Sequence, residues 1–152
     1  MGYQLSNAGI SGHHIHPLPR WLDSATTALV DDIIETAANA FPDLLAVILF
    51  GSIARHDERP FDDEIPSDVD LLLVFDTDDE QVTVHRGRAV SVALGKAKCR
   101  HLDALRDVND MLSSRTLSEW DSTFVANVAR DGILLFARGR LPEPLSPVAE
   151  RG

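Results

Sequence analysis

Asp68 and Asp70 stand one residue apart at the head of an apolar run, Leu71 to Phe75. On a strand, residues two apart project to one face. The two carboxylates would then stand side by side, repelling each other and gaining nothing from burial. A divalent cation removes that conflict. Hard cations such as magnesium take oxygen ligands and retain water and substrate phosphates. Upstream, Gly51-Ser52 closes a second apolar run, Leu44 to Phe50. A helix that starts there turns its first amides, which lack intrahelical partners, toward phosphate oxygens. Gly51 lets the backbone approach a ligand. Ser52 adds a hydroxyl donor, and Arg55, one turn on, is within reach of a phosphate. Each pair alone is commonplace: a strand–turn–helix junction, or two acids in a solvated turn. Their combination carries the argument.

Other elements must hold these residues. From Pro19 to Ala40, residues Trp21, Leu22, Ala25, Leu29, Ile33 and Ala37 recur at intervals near three and four, which predicts a helix. Asp23 or Ser24 caps or begins it, and Pro42-Asp43 stops it. Leu44–Phe50 and Val69–Phe75 predict buried strands, with a short helix at about 53–57. Residues 58–66, with two prolines inside an acidic run (Asp57, Glu58, Asp62, Asp63, Glu64), predict an exposed loop. Asp76 to Glu80 is an acidic turn and 80–96 a helix, although Val82, Val84, Val90 and Val92 also permit a strand. Cys99 to Leu105 alternates as a third strand would. Leu117 to Arg130 predicts a helix with Ser118 as a cap, Gly132 ends it, and Ile133 to Ala137 is a last strand. The expected organisation is a flexible N-terminal segment (1–18), one domain (19–138) and a C-terminal tail (139–152).

Composition sets limits. The chain has 152 residues, with 24 Asp and Glu against 14 Lys and Arg, a formal charge of −10. Gripping a nucleic-acid backbone needs clustered cations, so extended nucleic-acid binding is not expected. The single cysteine, Cys99, forms no intrachain disulfide and is expected to be a small buried apolar residue. With no leader and no apolar run of membrane-spanning length, a cytoplasmic protein with no membrane contact is expected. His13-His14-Ile15-His16 has no Cys or carboxylate beside it and is taken as part of the tail, not a metal site. His85 and His101 likewise lack spaced zinc-site partners. Trp21 and Trp120 fall at apolar helical positions, which suits core or interface better than base stacking.

Gly51-Ser52-Ile53-Ala54-Arg55 and Ser67-Asp68-Val69-Asp70-Leu71, with the strands flanking them, resemble the signature of the nucleotidyltransferase superfamily related to DNA polymerase beta. The resemblance extends over about residues 20–138, and Ala129 to Phe136 is similar to the helix end and strand that close small members. His56 departs from the family's usual glycine, and the acidic loop is longer than in compact members. The resemblance implies an α/β (α+β) fold, a small mixed sheet flanked by helices. It implies that Gly51, Ser52, Arg55 and Ser67 bind the nucleotide, and that Asp68 and Asp70 bind two magnesium ions together with a third carboxylate on a neighbouring strand. Asp103 is the candidate for that third acid and general base, with Asp107 in reserve.

The reaction implied transfers a nucleoside monophosphate from a nucleoside triphosphate, ATP in the first instance, to an acceptor hydroxyl, releasing pyrophosphate. With no room for an acceptor-binding domain beyond the core, the chain is similar to stand-alone minimal nucleotidyltransferases of bacteria and archaea. Many of these resemble antitoxins that attach adenylate to a tyrosine of a HEPN-type ribonuclease toxin. A HEPN-type partner, in a homo- or hetero-oligomer, is the expectation that follows. The alternatives are an enzyme acting on an aminoglycoside-like small molecule, and a non-catalytic module that neutralises its partner by contact.

Overall fold

The computed structural model describes residues 3–4, 13–14, 17–56, 67–118 and 120–150. Among them the elements run β1 (Tyr3–Gln4), β2 (His13–His14), α1 (Ser24–Ala40), β3 (Leu44–Phe50), α2 (Ser52–Arg55), β4 (Val69–Phe75), α3 (Glu80–Arg100), β5 (Val108–Ser114), α4 (Ser122–Asp131) and β6 (Ile133–Ala137). A 3-10 turn (Glu143–Leu145) and α5 (Ser146–Glu150) follow. The strands form one mixed sheet ordered β1-β2-β6-β3-β4-β5. β3 pairs antiparallel with β4 and β6, whereas β4 and β5 run parallel. A parallel pair needs a crossover, and α3 supplies it.

The central strands are apolar along their length because both faces are covered. Leu44, Val47, Leu49, Leu71, Leu73 and Phe75 pack with α1 and α3. Ala46, Ile48, Leu72 and Val74 pack on the other face with α4 and the C-terminal turns. In α1 the buried stripe is Leu29, Val30, Ile33, Ile34 and Ala37, the spacing of one helical face. In α3, Thr83, Val90, Leu94 and Ala97 are buried. The three long helices α1, α3 and α4 each have an aspartate at the N-cap. Asp23 accepts from the Thr26 amide at 3.0 Å, Asp79 from Gln81 at 2.9 Å and Asp121 from Phe124 at 2.7 Å.

Several expected boundaries move. α1 begins at Ser24, because Asp23 caps it and the preceding residues form a turn. No strand occupies 99–105: α3 continues to Arg100, and the third long strand is β5. Cys99 therefore lies on an exposed helix face, not in the core. α4 starts at Ser122, capped by Asp121 and not by Ser118. The expected tail is structured as well, with Leu141, Leu145 and Val148 buried against the sheet. The expectation for 1–18 falls largely outside the described residues, which here are 17–18 and the strands Tyr3–Gln4 and His13–His14, β2 pairing with β6 and β1 with β2. The acidic loop 57–66 lies wholly outside them. Among the described residues no helix is long and apolar enough to cross a membrane.

α1 and α3 are clamped by charge. Arg100 donates from Nε and Nη2 to both oxygens of Asp32, at 2.8 Å each, and His101 Nε2 stands 2.8 Å from the same carboxylate. Arg100, helped by His101 and Thr36, holds the Asp32 carboxyl well below the usual carboxylate range. Such a group contributes stability that is present above the ordinary carboxylate pKa and is lost as pH falls toward its depressed value. Asp32→Asn is accordingly expected to lower the urea midpoint at pH 7. Its curve and the parent's should converge as the pH is taken below 3.

Candidate functional site

Phe50 and Asp70 are direct cross-strand partners on β3 and β4, and Asp70 is level with Asn109 on β5. Residues in register on neighbouring strands project to one face. Phe50, Asp70 and Asn109 thus form a row across three strands, at the end of the sheet where β3 leads into Gly51. Asp68, two residues before Asp70, joins the row from just outside β4. Asn109 Nδ2 donates to Asp68 Oδ2 at 3.0 Å and to Asp70 Oδ1 at 3.3 Å, so the two carboxylates flank one amide.

Gly51 sets the other wall. Its φ of 81° and ψ of −160° lie in a region open essentially to glycine alone. A Cβ at this position would stand 2.3 Å from Asp70 Oδ2. The carboxylate therefore rests directly on the glycine backbone. Burial raises the pKa of Asp70 above the usual value, and the charge of Asp68 adds to the rise. The Asn109 hydrogen bond and the Arg55 charge pull against it. Asp68 itself is exposed.

α2 is a single turn from Ser52 to Arg55, and His56 closes it in the left-handed conformation, with φ 59°. Trp21 braces this end: its Nε1 donates to the Ile53 carbonyl at 2.7 Å, and its ring stacks on His56 at 4.2 Å. The Trp21 side of the helix is thus a packing contact that remains partly exposed. On the other side a cavity of about 190 Å³ opens beside Gly51 and Arg55. Phe50, Phe124 and Val128 give it apolar walls, and Asn127 and Asp131 line it from α4. Phe50 and Phe124 meet edge to face at 5.3 Å.

The structure brings Asp68, Asp70, Gly51, Ser52 and Arg55 to one corner. Ser67 adjoins it but is buried, its carbonyl accepting from Arg106 Nη1 at 2.8 Å. Asp103 is not part of the row. It lies exposed in the turn between α3 and β5, not on a strand. Asp107 is also exposed, just before β5, and its carbonyl accepts the Val69 amide at 2.8 Å. The next acid, Asp110, is level with Leu71 and so faces the opposite side of the sheet. Among the described residues no three His, Cys, Asp or Glu side chains come together as a metal-binding group. The acids present fit one divalent ion. Such an ion would offset the mutual repulsion of the two acids and the burial that, with Asp68, raises the pKa of Asp70.

Two residues of the site were not anticipated. Asn109 lies in Val108-Asn109-Asp110-Met111-Leu112, too polar to read as a strand. Arg106 is 4% exposed and couples the Ser67 carbonyl to Asp23, the cap of α1, at 3.3 Å. It anchors the residue before Asp68, and nothing in its sequence neighbours marks it.

No family profile and no curated protein matches this sequence. Among solved structures, the chain is similar to a candidate nucleotidyltransferase from Sulfolobus solfataricus, at 24% identity and TM-score 0.46, over 76% of this chain and 88% of that one. It is also similar to a chain of a toxin–antitoxin structure with AMP-PNP, at 19% identity and TM-score 0.44, over 79% and 81% of the two chains. A mutant of the MntA–HpeT toxin–antitoxin gives 19% and 0.44, over 80% of each chain.

Two substitutions test this geometry. Gly51→Ala introduces both backbone strain and the clash with Asp70, and should cost about 1–3 kcal/mol in urea unfolding. Asp70→Asn should act in the opposite direction. A carboxyl with a raised pKa binds its proton more tightly when folded, so stability falls as pH rises through the interval above the usual value. At pH 7 the ionised group is a standing cost, and Asp70→Asn should melt above the parent, with the gap closing as the pH is lowered toward 4.

Proposed function

We propose that this chain is a nucleotidyltransferase that binds a nucleoside triphosphate with magnesium and passes the nucleoside monophosphate to a hydroxyl group. The observation that carries the proposal is the convergence of Asp68 and Asp70 on the Gly51 corner, with Asp70 seated against the glycine backbone. Asp68 and Asp70 would hold the ion, which supplies charge neutralisation for the phosphates and the departing pyrophosphate. Ser52, Arg55 and the backbone at Gly51 would orient the triphosphate. The cavity beside Gly51 offers the nucleoside an aromatic wall and two polar side chains of α4. In the transfer, the acceptor oxygen bonds to the α-phosphorus, the bond from that phosphorus to the bridging oxygen breaks, and pyrophosphate leaves with the electron pair. Most of the acceleration would come from positioning and charge compensation.

The acceptor is proposed from the sequence resemblance: a tyrosine of a HEPN-type toxin, which the chain would inactivate as an antitoxin by adding adenylate. Asn109 favours a second reading. With a neutral amide between the two acids, the described residues of β4 and β5 offer no third carboxylate on that face to take the acceptor's proton, which suits a module that binds nucleotide and neutralises its partner by contact.

One assay separates these. ATP labelled at the α-phosphate is incubated with magnesium, the chain and the product of the adjacent gene. Transfer predicts label on the partner that depends on this chain and falls at least 100-fold with Asp70→Ala. Inhibition of the partner without label supports the contact mechanism. Failure of the chain to bind ATP at all overturns both.

A further inference from the structure

We infer that the site holds one divalent cation per bound nucleotide, not two, because Asn109 occupies the position from which a third carboxylate would complete a second ion's ligands. This rests on the metal-and-nucleotide reading above and narrows it. In the β4–β5 ladder Asn109 is the residue level with Asp70, and its side chain lies between the two acids, at 3.0 and 3.3 Å. A carboxylate there would bring a third negative charge to the same face. The amide brings none, and its Nδ2 occupies one oxygen of each aspartate.

No neighbour on these strands compensates. Asp110, the next residue, is level with Leu71, whose side chain lies in the core under α1 and α3. It lines a separate cavity along β5 with Thr83 and Gly87 of α3. Asp107 and Asp103 do not join Asp68 and Asp70 in a three-acid group. Two carboxylates match the charge of one divalent ion. A second would have to be held by the nucleotide's phosphates, with only the neutral carbonyl of Asn109 to add from these strands.

The consequence concerns the proton of the acceptor. With an amide level with Asp70, the described residues of β4 and β5 offer the acceptor hydroxyl no further carboxylate as base, and it gives up its proton to the partner or to water. The identity of the partner, not this chain alone, would then set the rate of any transfer.

Equilibrium dialysis of the full chain against Mn²⁺ and α,β-methylene ATP, with both bound ligands counted, tests this without any turnover. The parent should retain one Mn²⁺ per bound nucleotide, and Asn109→Asp two. Asp110→Asn, on the opposite face, should retain one. Two Mn²⁺ per nucleotide in the parent would overturn the inference, as would one in an Asn109→Asp protein whose circular dichroism matches the parent. If Asn109→Asp does not fold, the parent's ratio decides alone. Absence of both ligands from the parent defeats the underlying metal-and-nucleotide reading, an outcome distinct from a ratio of two.

Discussion

The constraint on which the rest depends is the contact between the Asp70 carboxylate and the backbone of Gly51. It is possible only because position 51 has no Cβ and adopts a conformation that other residues avoid. It fixes where the chain leaves β3, which way α2 points and how far the acid is sunk from solvent. The desolvation of Asp70 follows directly, and so does its raised pKa. A stable domain had no need to place an ionisable group there. Strain and unfavourable charge gathered at one corner are the pattern expected where a protein keeps a site at the expense of stability.

Around that corner the fold is arranged to hold position, not merely to bury surface. β3 and β4 are apolar on both faces, so their register admits no slip without moving large side chains into the wrong layer. The register then dictates that Phe50, Asp70 and Asn109 align. Arg106 performs a similar service from below. Its buried guanidinium links the residue before Asp68 to the cap of α1. Trp21 steadies the far end of α2 through the Ile53 carbonyl.

The half of the site on β3 and β4 was legible in the sequence because its signals are local. An apolar run, a Gly-Ser turn and acids two apart each need only a few neighbours to interpret. α1, both central strands and β6 were legible for the same reason. β5 was not. It is the terminal strand on its side of the sheet, and Asn109, Asp110, Ser113 and Ser114 give it too little apolar content to stand out. Edge strands commonly carry polar residues that discourage pairing with other chains. The expected strand at Cys99 to Leu105 was a consequence of the same masking: a helix end and a turn happened to alternate. Asp103 was chosen as the third acid on that displaced strand. The true neighbour of Asp70 could be identified only from the β4–β5 register, a property of pairing across the helix between them. Arg106 was hidden for a related reason, since its partners are 39 and 83 residues away in the chain.

The parallel pairing of β4 with β5 has a kinetic consequence. The bond from Asn109 to Asp70 spans 39 residues, and the ladder that aligns them forms only after α3 has crossed back over the sheet. Closing a loop of that length precedes any reward from the contacts it brings, which makes such pairings slow among folding events. The antiparallel β3–β4 pair, with its two acids and its glycine corner, has a shorter connection to close. The hydrogen bonds by which Asn109 separates the two acids thus depend on closing a longer loop than the one that sets Asp70 against Gly51.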